Sequence, residues 1–338
     1  MRAMVLQTLG GLDEPGGPLD LVDVARPEPA VGEILIEVSA CGVCHTELDI
    51  IEGRTPPPRL PIIPGHEIVG RVAELGSGVS RFSVGDRVGV GWIHSSDGSE
   101  HENVSRSFRA TGRDADGGYA EFTTVPADYA YPIPEAFDDV TAAPLLCAGG
   151  VGYRALRLAK LEDGEVLGLT GFGGSGHLVL QLARHLYPSS PVYVFARSPR
   201  ERAFALELGA AWSGDTLDDP PQLAHAIIDT TPVWKTVLAA LERLRPAGRL
   251  VINAIRKEDA DRDLLAGLRY EDHLWLEKEV KTVANVTHRD IGEFLPVAAQ
   301  AALRVETTCL PLERANEALQ ALREGHLRGA YVLKIGRR

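Results

Sequence analysis

The sequence predicts an α/β protein in which a doubly wound parallel sheet is joined to a β-rich unit. Three observations carry this. Residues 1 to about 148 read as short strand-like segments broken by Gly and Pro, such as Glu33–Ala40, Glu67–Leu75, Gly85–Ile93 and Tyr119–Pro126. From Gly152 onward, apolar runs of strand length alternate with amphipathic helical stretches. Between the first such run and its helix lies a turn rich in glycine.

The elements follow in order. Residues 152–161 have helical spacing, Glu165–Thr170 is a buried strand, and Gly174–Leu186 is an amphipathic helix. Val192–Ala196 is the next strand, and a helix then ends at Gly209. His225–Thr231 is a strand, residues 234–244 are a helix, and Gly248–Ile255 is a strand. Near the end come a strand at Thr307–Leu310, a helix over 312–325 and a last strand over 329–335. The expected division is residues 1–148 with 286–338 in one domain and 149–285 in the other.

Composition narrows the function classes. The chain has 338 residues, 44% of them hydrophobic, enough for about two domains. Its 35 Lys and Arg against 47 Asp and Glu give a net charge of −12, which argues against nucleic acid or an anionic membrane surface as partner. No apolar run approaches the 18 or so residues of a membrane span, and the start lacks a long apolar stretch. Four cysteines (Cys41, Cys44, Cys147 and Cys309) are too few for a disulfide scaffold. A cytoplasmic protein is expected.

Gly171, Gly173 and Gly176 form G-x-G-x-x-G, with Gly174 and Ser175 inside the turn. Alone the spacing is common in a Gly-rich chain. Here it follows a strand and opens a helix, the context a dinucleotide pyrophosphate requires. The first glycine permits the tight turn, the second the approach of the phosphates, the third close helix packing. The next strand ends in Ala196, Arg197 and Ser198, followed by Arg200. The carboxylate that would grip an adenosine ribose is missing there. Arg197, Ser198 and Arg200 suit a 2′-phosphate instead, so NADP(H) is expected over NAD(H).

Cys44, His66 and Cys147 are candidate metal ligands. Two thiolates and an imidazole with an open fourth position make a catalytic zinc set, and zinc there acts as a Lewis acid on a bound alcohol or carbonyl. Cys41 and Cys44 also make C-x-x-C. A thioredoxin-like reading needs a small βαβ domain, and a four-cysteine zinc site needs two more nearby thiols; neither suits this chain.

Taken together, CGVCHTEL, GHEIVG, GDRV, PLLCAG and G-x-G-x-x-G resemble, in order and spacing, the zinc-dependent alcohol dehydrogenases of the medium-chain dehydrogenase/reductase superfamily. The resemblance runs from end to end. It implies a GroES-like catalytic domain, a Rossmann domain, and hydride transfer between a nicotinamide and a zinc-bound alcohol or aldehyde. It implies Cys44, His66 and Cys147 as the zinc ligands and Glu67 as a carboxylate reaching the metal during ligand exchange. Thr46 resembles the hydroxyl of a proton relay, His45 a neighbour of the cofactor phosphate, and Trp92 a wall of the substrate pocket. Relatives are mostly dimers or tetramers, so a homodimer or homotetramer is expected.

Three departures matter. The stretch that in many relatives carries four cysteines on a structural zinc contains none here, so one zinc per chain and a polar solvent loop are expected, although Asp97, Glu100, His94 and His101 lie in it. The relay position occupied by histidine in many relatives is Asp49. An Arg often found in the last strand is replaced, the sequence reading Gly329, Ala330, Tyr331. Two other readings stay open: a zinc-free quinone or enoyl reductase on the same fold, and a binding protein without catalysis.

Overall fold

The computed structural model describes residues 1–325 and 329–336. The chain forms two compact units. The first holds Met1–Cys147, Val286–Ala299 and the described residues from Val305. The second holds Ala148–Asn285 and Gln300–Arg304.

The first unit is built around one long strand. Only Glu37 of Glu33–Val43 is exposed, as suits a central strand, and it pairs along both edges. Its sheet runs in the order Thr307–Pro311, Ala330–Lys334, Glu33–Val43, Ile68–Leu75, Arg87–Val90, Ala130–Pro132. Phe122–Pro126 also pairs with Glu33–Val43. The expected strand Gly85–Ile93 is two strands, Arg87–Val90 and Ile93–Ser95, in different sheets. Gly91 breaks it: a Cβ there would lie 2.8 Å from the Leu146 carbonyl oxygen, so the backbone passes too close for a side chain. The hairpin of Arg2–Leu6 with Leu19–Asp23, which the sequence reading passed over, closes the unit. Val5, Ile34, Ile36, Ile68 and Tyr119 share one core.

The cysteine-free lobe is not wholly a solvent loop. Residues 97–101 are exposed, but Glu102 is fully buried. Its carboxylate accepts hydrogen bonds from Tyr129 Oη at 3.0 Å and from the His288 backbone N–H at 2.5 Å, with His288 Nδ1 at 2.6 Å. One buried anion with these donors fastens the lobe to the helix His288–Gln300.

The second unit is a six-stranded parallel sheet, ordered Trp212–Gly214, Val192–Phe195, Leu167–Thr170, Ala224–Asp229, Leu244–Ile252, Glu279–Thr282. The helix Gly174–Leu186 matches the sequence reading at both ends. The edge strand Glu279–Thr282 was missed because all four residues are exposed, leaving no apolar alternation to read. Strand order runs outward in both directions from Leu167–Thr170 and Ala224–Asp229, which makes their carboxyl ends a topological switch point.

Candidate active site

Register brings the candidate ligands to one end of the first unit's sheet. Cys41 pairs with Ile68 and Ile68 with Val90, in antiparallel ladders. Cys44 just after the first strand, His66 just before the second and Trp92 just after the third therefore lie at the same end. Cys147 follows the 3-10 turn Ala143–Leu146. The ligand atoms of Cys44, His66, Glu67 and Cys147 all lie within 4.8 Å of one another, and among the described residues no other such group occurs. The two sulfurs are 3.8 Å apart. Asp97, Glu100, His94 and His101 form no comparable group.

Cys44 is also the N-cap of the helix His45–Ile51. Glu47, at the third helical position, completes the cap by accepting the Cys44 backbone N–H at 2.8 Å through Oε2. Its other oxygen lies 2.5 Å from His66 Nδ1. Glu47 was not singled out from sequence. A carboxylate three residues after a capping position reads as an ordinary cap, and nothing local says that His66 arrives beside it.

Electrostatics reflect this crowding of buried acids and thiols. A hydrogen bond with the Cys147 thiol, helped by His66, holds the Cys44 thiol well below its ordinary value against the cost of burial. The same bond and burial push Cys147 up. Burial would lower His66, but the Glu47 carboxylate and Cys44 outweigh it and hold it well above the usual range. Burial, then the Cys44 charge, pushes Glu67 up. A bound cation would oppose the upward shifts of Cys147 and Glu67 by favouring their anionic forms. His66 Nε2 and Glu67 Oε2 are buried and have no hydrogen-bond partner within the protein.

The other predicted residues fall as follows. Thr46 is buried, with its hydroxyl 3.6 Å from Cys44 Sγ. Trp92 meets the His66 ring edge-on, centroids 4.9 Å apart. His45 is exposed at the start of its helix. Asp49 is buried and takes an ion pair from Arg54 Nε at 2.5 Å. Cys44 does open a helix after a strand, as a redox C-x-x-C would. Cys41, however, is fully buried in the strand, and burial pushes its thiol up, so it is not the poised partner such chemistry needs.

In the second unit Gly171 has φ of 81°, a conformation few other residues adopt. A Cβ on Gly176 would lie 2.8 Å from the Gly171 carbonyl oxygen, so that glycine serves packing. Gly173 is different: φ is −90° and ψ −147°, and a Cβ would meet nothing within 4 Å. Gly174 opens the helix, and Ser175 Oγ donates to the Ala148 carbonyl at 3.0 Å. Arg197 and Arg200 are exposed, and Ser198 stands at the N-cap position of the helix Pro199–Glu207 without a capping bond from its side chain. Arg202 donates to the carbonyls of Ala196 and Arg197 at 2.8 and 3.0 Å, fixing that turn.

Residues 30–135 match the family described as alcohol dehydrogenase GroES-like domain. The chain is 42% identical, over 99% of its length and 97% of the relative's, to a probable alcohol dehydrogenase, AdhA, of Mycobacterium tuberculosis. The chain belongs to the alcohol dehydrogenases of the medium-chain dehydrogenase/reductase superfamily. Its fold is that of the superfamily's solved structures. The cobalt- and zinc-bound thermostable alcohol dehydrogenase of Pyrobaculum aerophilum matches with a TM-score of 0.83 at 23% identity, covering 99% of each chain. The acetophenone reductase of Geotrichum candidum in complex with NAD matches with a TM-score of 0.82 at 23% identity, covering 98% of this chain and 96% of that one. The matched residues lie within the first unit, and the parallel sheet of the second is the doubly wound sheet of the fold. Among the described residues no helix is long and apolar enough to cross a membrane.

Proposed function

We propose that the chain is a zinc-dependent alcohol dehydrogenase and aldehyde reductase that uses NADP(H) in preference to NAD(H). The observation that carries it is the cluster of Cys44, His66, Glu67 and Cys147 with a buried, unpartnered His66 Nε2. A buried ring nitrogen without a partner is costly unless a ligand completes it. Two thiolates about 2.3 Å from one tetrahedral zinc would lie about 3.8 Å apart, as these sulfurs do. Cys44, His66 and Cys147 would hold the metal, and the free oxygen of Glu67 is a fourth donor for ligand exchange.

When bound, zinc supplies Lewis acidity that lowers the pKa of an alcohol and polarises a carbonyl. The protein does the rest. Glu47 fixes the His66 ring and the start of the helix that bears Thr46. The Thr46 hydroxyl both donates and accepts, so it takes the proton of the alcohol at Oγ1 or returns it to the nascent alkoxide. Asp49, held by Arg54, is the acceptor at the far end of that relay. Trp92 packs on His66 and presents an apolar wall to the substrate.

For the cofactor, Gly173 is the supporting observation. A Cβ there would meet no protein atom within 4 Å, which leaves room on that side for the close approach of a ligand. The pyrophosphate would lie on the turn Gly171–Gly176 at the start of the helix. Arg197, Ser198 and Arg200 would meet a 2′-phosphate, each charge-assisted bond worth about 1.5–3 kcal/mol. We place the enzyme in the cytoplasm from its cysteine usage and expect a homodimer or homotetramer from the family. The zinc-free reductase reading is disfavoured by the complete ligand set.

The test is elemental analysis of protein purified without added metal, with kcat/KM for alcohols and aldehydes measured with both nicotinamides at fixed pH and salt. Turnover that persists in metal-free protein would overturn the zinc reading. A preference for NADH would overturn the NADP(H) reading. If NADPH is preferred, Ala196→Asp with Arg197→Ala should reverse the order.

A further inference from the structure

A buried ion pair sits at the carboxyl ends of the parallel strands, outside the residues discussed so far. Asp229 ends the strand Ala224–Asp229 and is fully buried. Lys257 lies in the segment after Leu244–Ile252, with its side chain 9% exposed. Its ammonium pairs with Asp229 Oδ2 and donates to the carbonyls of Thr231 at 2.7 Å and Val233 at 3.2 Å. That engages all three of its donors, so Lys257 is not itself free to grip a ligand.

The other oxygen of Asp229 faces the Gly-rich turn. Asp229 Oδ1 accepts from Thr170 Oγ1 at 2.5 Å and from Thr231 Oγ1 at 2.9 Å. Thr170 is the register partner of Asp229 and the residue before Gly171. Thr230 returns two hydrogen bonds to the Thr170 carbonyl, from N and from Oγ1, both at 3.0 Å. A Cβ on Gly171 would lie 2.8 Å from Thr230 Oγ1 and 2.9 Å from Thr231 Cγ2, so the turn rests directly on this segment. On the far side the Asn253 N–H bonds the Asp229 carbonyl and the Glu258 N–H bonds that of Pro232, each at 2.7 Å. Asn253 Nδ2 is buried there without a partner.

A buried pair is a weak way to stabilise a core, because desolvation offsets much of the attraction. It does fix geometry, and this one sits at the switch point where open α/β sheets take their ligands. We propose that the Asp229–Lys257 pair is a positioning device for dinucleotide binding. Through Thr170, Thr230 and Thr231 it sets the Gly171 turn, and through Lys257 it holds the segment 253–258 beside that turn. The proposal rests on the dinucleotide reading given above.

The experiment is titration of the zinc-loaded full chain with NADPH and with NADH, followed by nicotinamide fluorescence. Wild type is compared with Lys257→Met, Lys257→Arg and Asp229→Asn, and zinc content and Tm are recorded for each. The expected result for Lys257→Met is a Kd for the preferred dinucleotide raised about tenfold or more, the scale of one lost charge-assisted bond. Zinc content should not change, the KM for the dinucleotide should rise more than kcat falls, and Lys257→Arg should recover part of the affinity. A Kd equal to wild type in Lys257→Met overturns the proposal, whatever the change in Tm. If that variant does not fold, Asp229→Asn, which keeps shape and acceptor, is read by the same criterion. Wild-type protein that binds neither nucleotide would overturn the dinucleotide reading itself, and this proposal with it.

Discussion

His66 Nδ1 lies 2.5 Å from Glu47 Oε1, and both side chains are fully excluded from solvent. The second oxygen of the same carboxylate holds the Cys44 backbone N–H. One acid therefore sets the orientation of two candidate ligands that are 22 positions apart in the chain (66 − 44). Replacing it with glutamine keeps the helix cap but removes the charge behind the imidazole. Glu47→Gln should weaken zinc binding about 10–100-fold, the usual cost of losing a partner of a metal-ligating histidine. Competition with a chromogenic chelator measures this, and unchanged affinity would refute it.

Metal and nucleotide should separate. The candidate ligands lie in one unit and the Gly-rich turn in the other. Protein purified without added metal should carry about one zinc per chain. Cys147→Ala should lose that zinc and nearly all turnover while its nucleotide titration stays unchanged. A ratio near two in the wild type would show that the lobe binds metal after all.

Thr46→Val removes a hydroxyl while keeping shape. Zinc content should hold, and turnover should fall by roughly 10²-fold or more, the scale of a lost proton-transfer group. Normal turnover in this variant would remove Thr46 from the relay.

The glycines of the turn should divide by role. Gly173→Ala meets no protein atom within 4 Å, so any loss of stability should be smaller than that of Gly176→Ala. Its Kd for the dinucleotide should nevertheless rise about tenfold or more. Gly176→Ala runs into the Gly171 carbonyl and should lower Tm as well. Equal effects of the two on stability would contradict the assignment.

Alkaline stability should report the Glu102 network. Burial, then the Glu102 carboxylate, pushes the Tyr129 phenol up to about 12. The folded state keeps this proton where the unfolded chain releases it near pH 10. The associated stability is therefore full below about pH 10 and lost as pH rises towards 12. Tyr129→Phe should be less stable than wild type at pH 8, by about 1–2 kcal/mol. The gap should narrow between pH 10 and 12 in urea unfolding. A gap constant across that window would be inconsistent with this coupling.

Much of the fold was legible in the chain. The helix Gly174–Leu186 announced itself by an apolar stripe that opens in a Gly-rich turn, and the parallel strands by buried apolar runs. Cys44, His66 and Cys147 could be picked out because few residue types bind soft metals. What escaped depended on contacts between distant positions. Glu102 reads as one more acid in a polar stretch, yet its partner His288 stands 186 residues away. Asp229 and Lys257 are separated by 28 residues and look like unrelated surface charges. A buried charge is recognised by its partner, and sequence alone does not supply the pairing.

The suture of the lobe through Glu102 has a consequence for life under oxidants. Peroxide acts on thiolates, converting them stepwise to sulfenic and then irreversible acids. A loop tied by cysteines comes apart when those sulfurs are oxidised. Here the knot consists of a carboxylate, a phenol and an imidazole, none of which offers sulfur to peroxide. Oxidation of Cys44, whose thiol is held below its ordinary value, would then silence chemistry while the lobe stays fastened. At the sulfenic stage a thiol reductant can restore such a protein, so inactivation works as a pause and not as destruction.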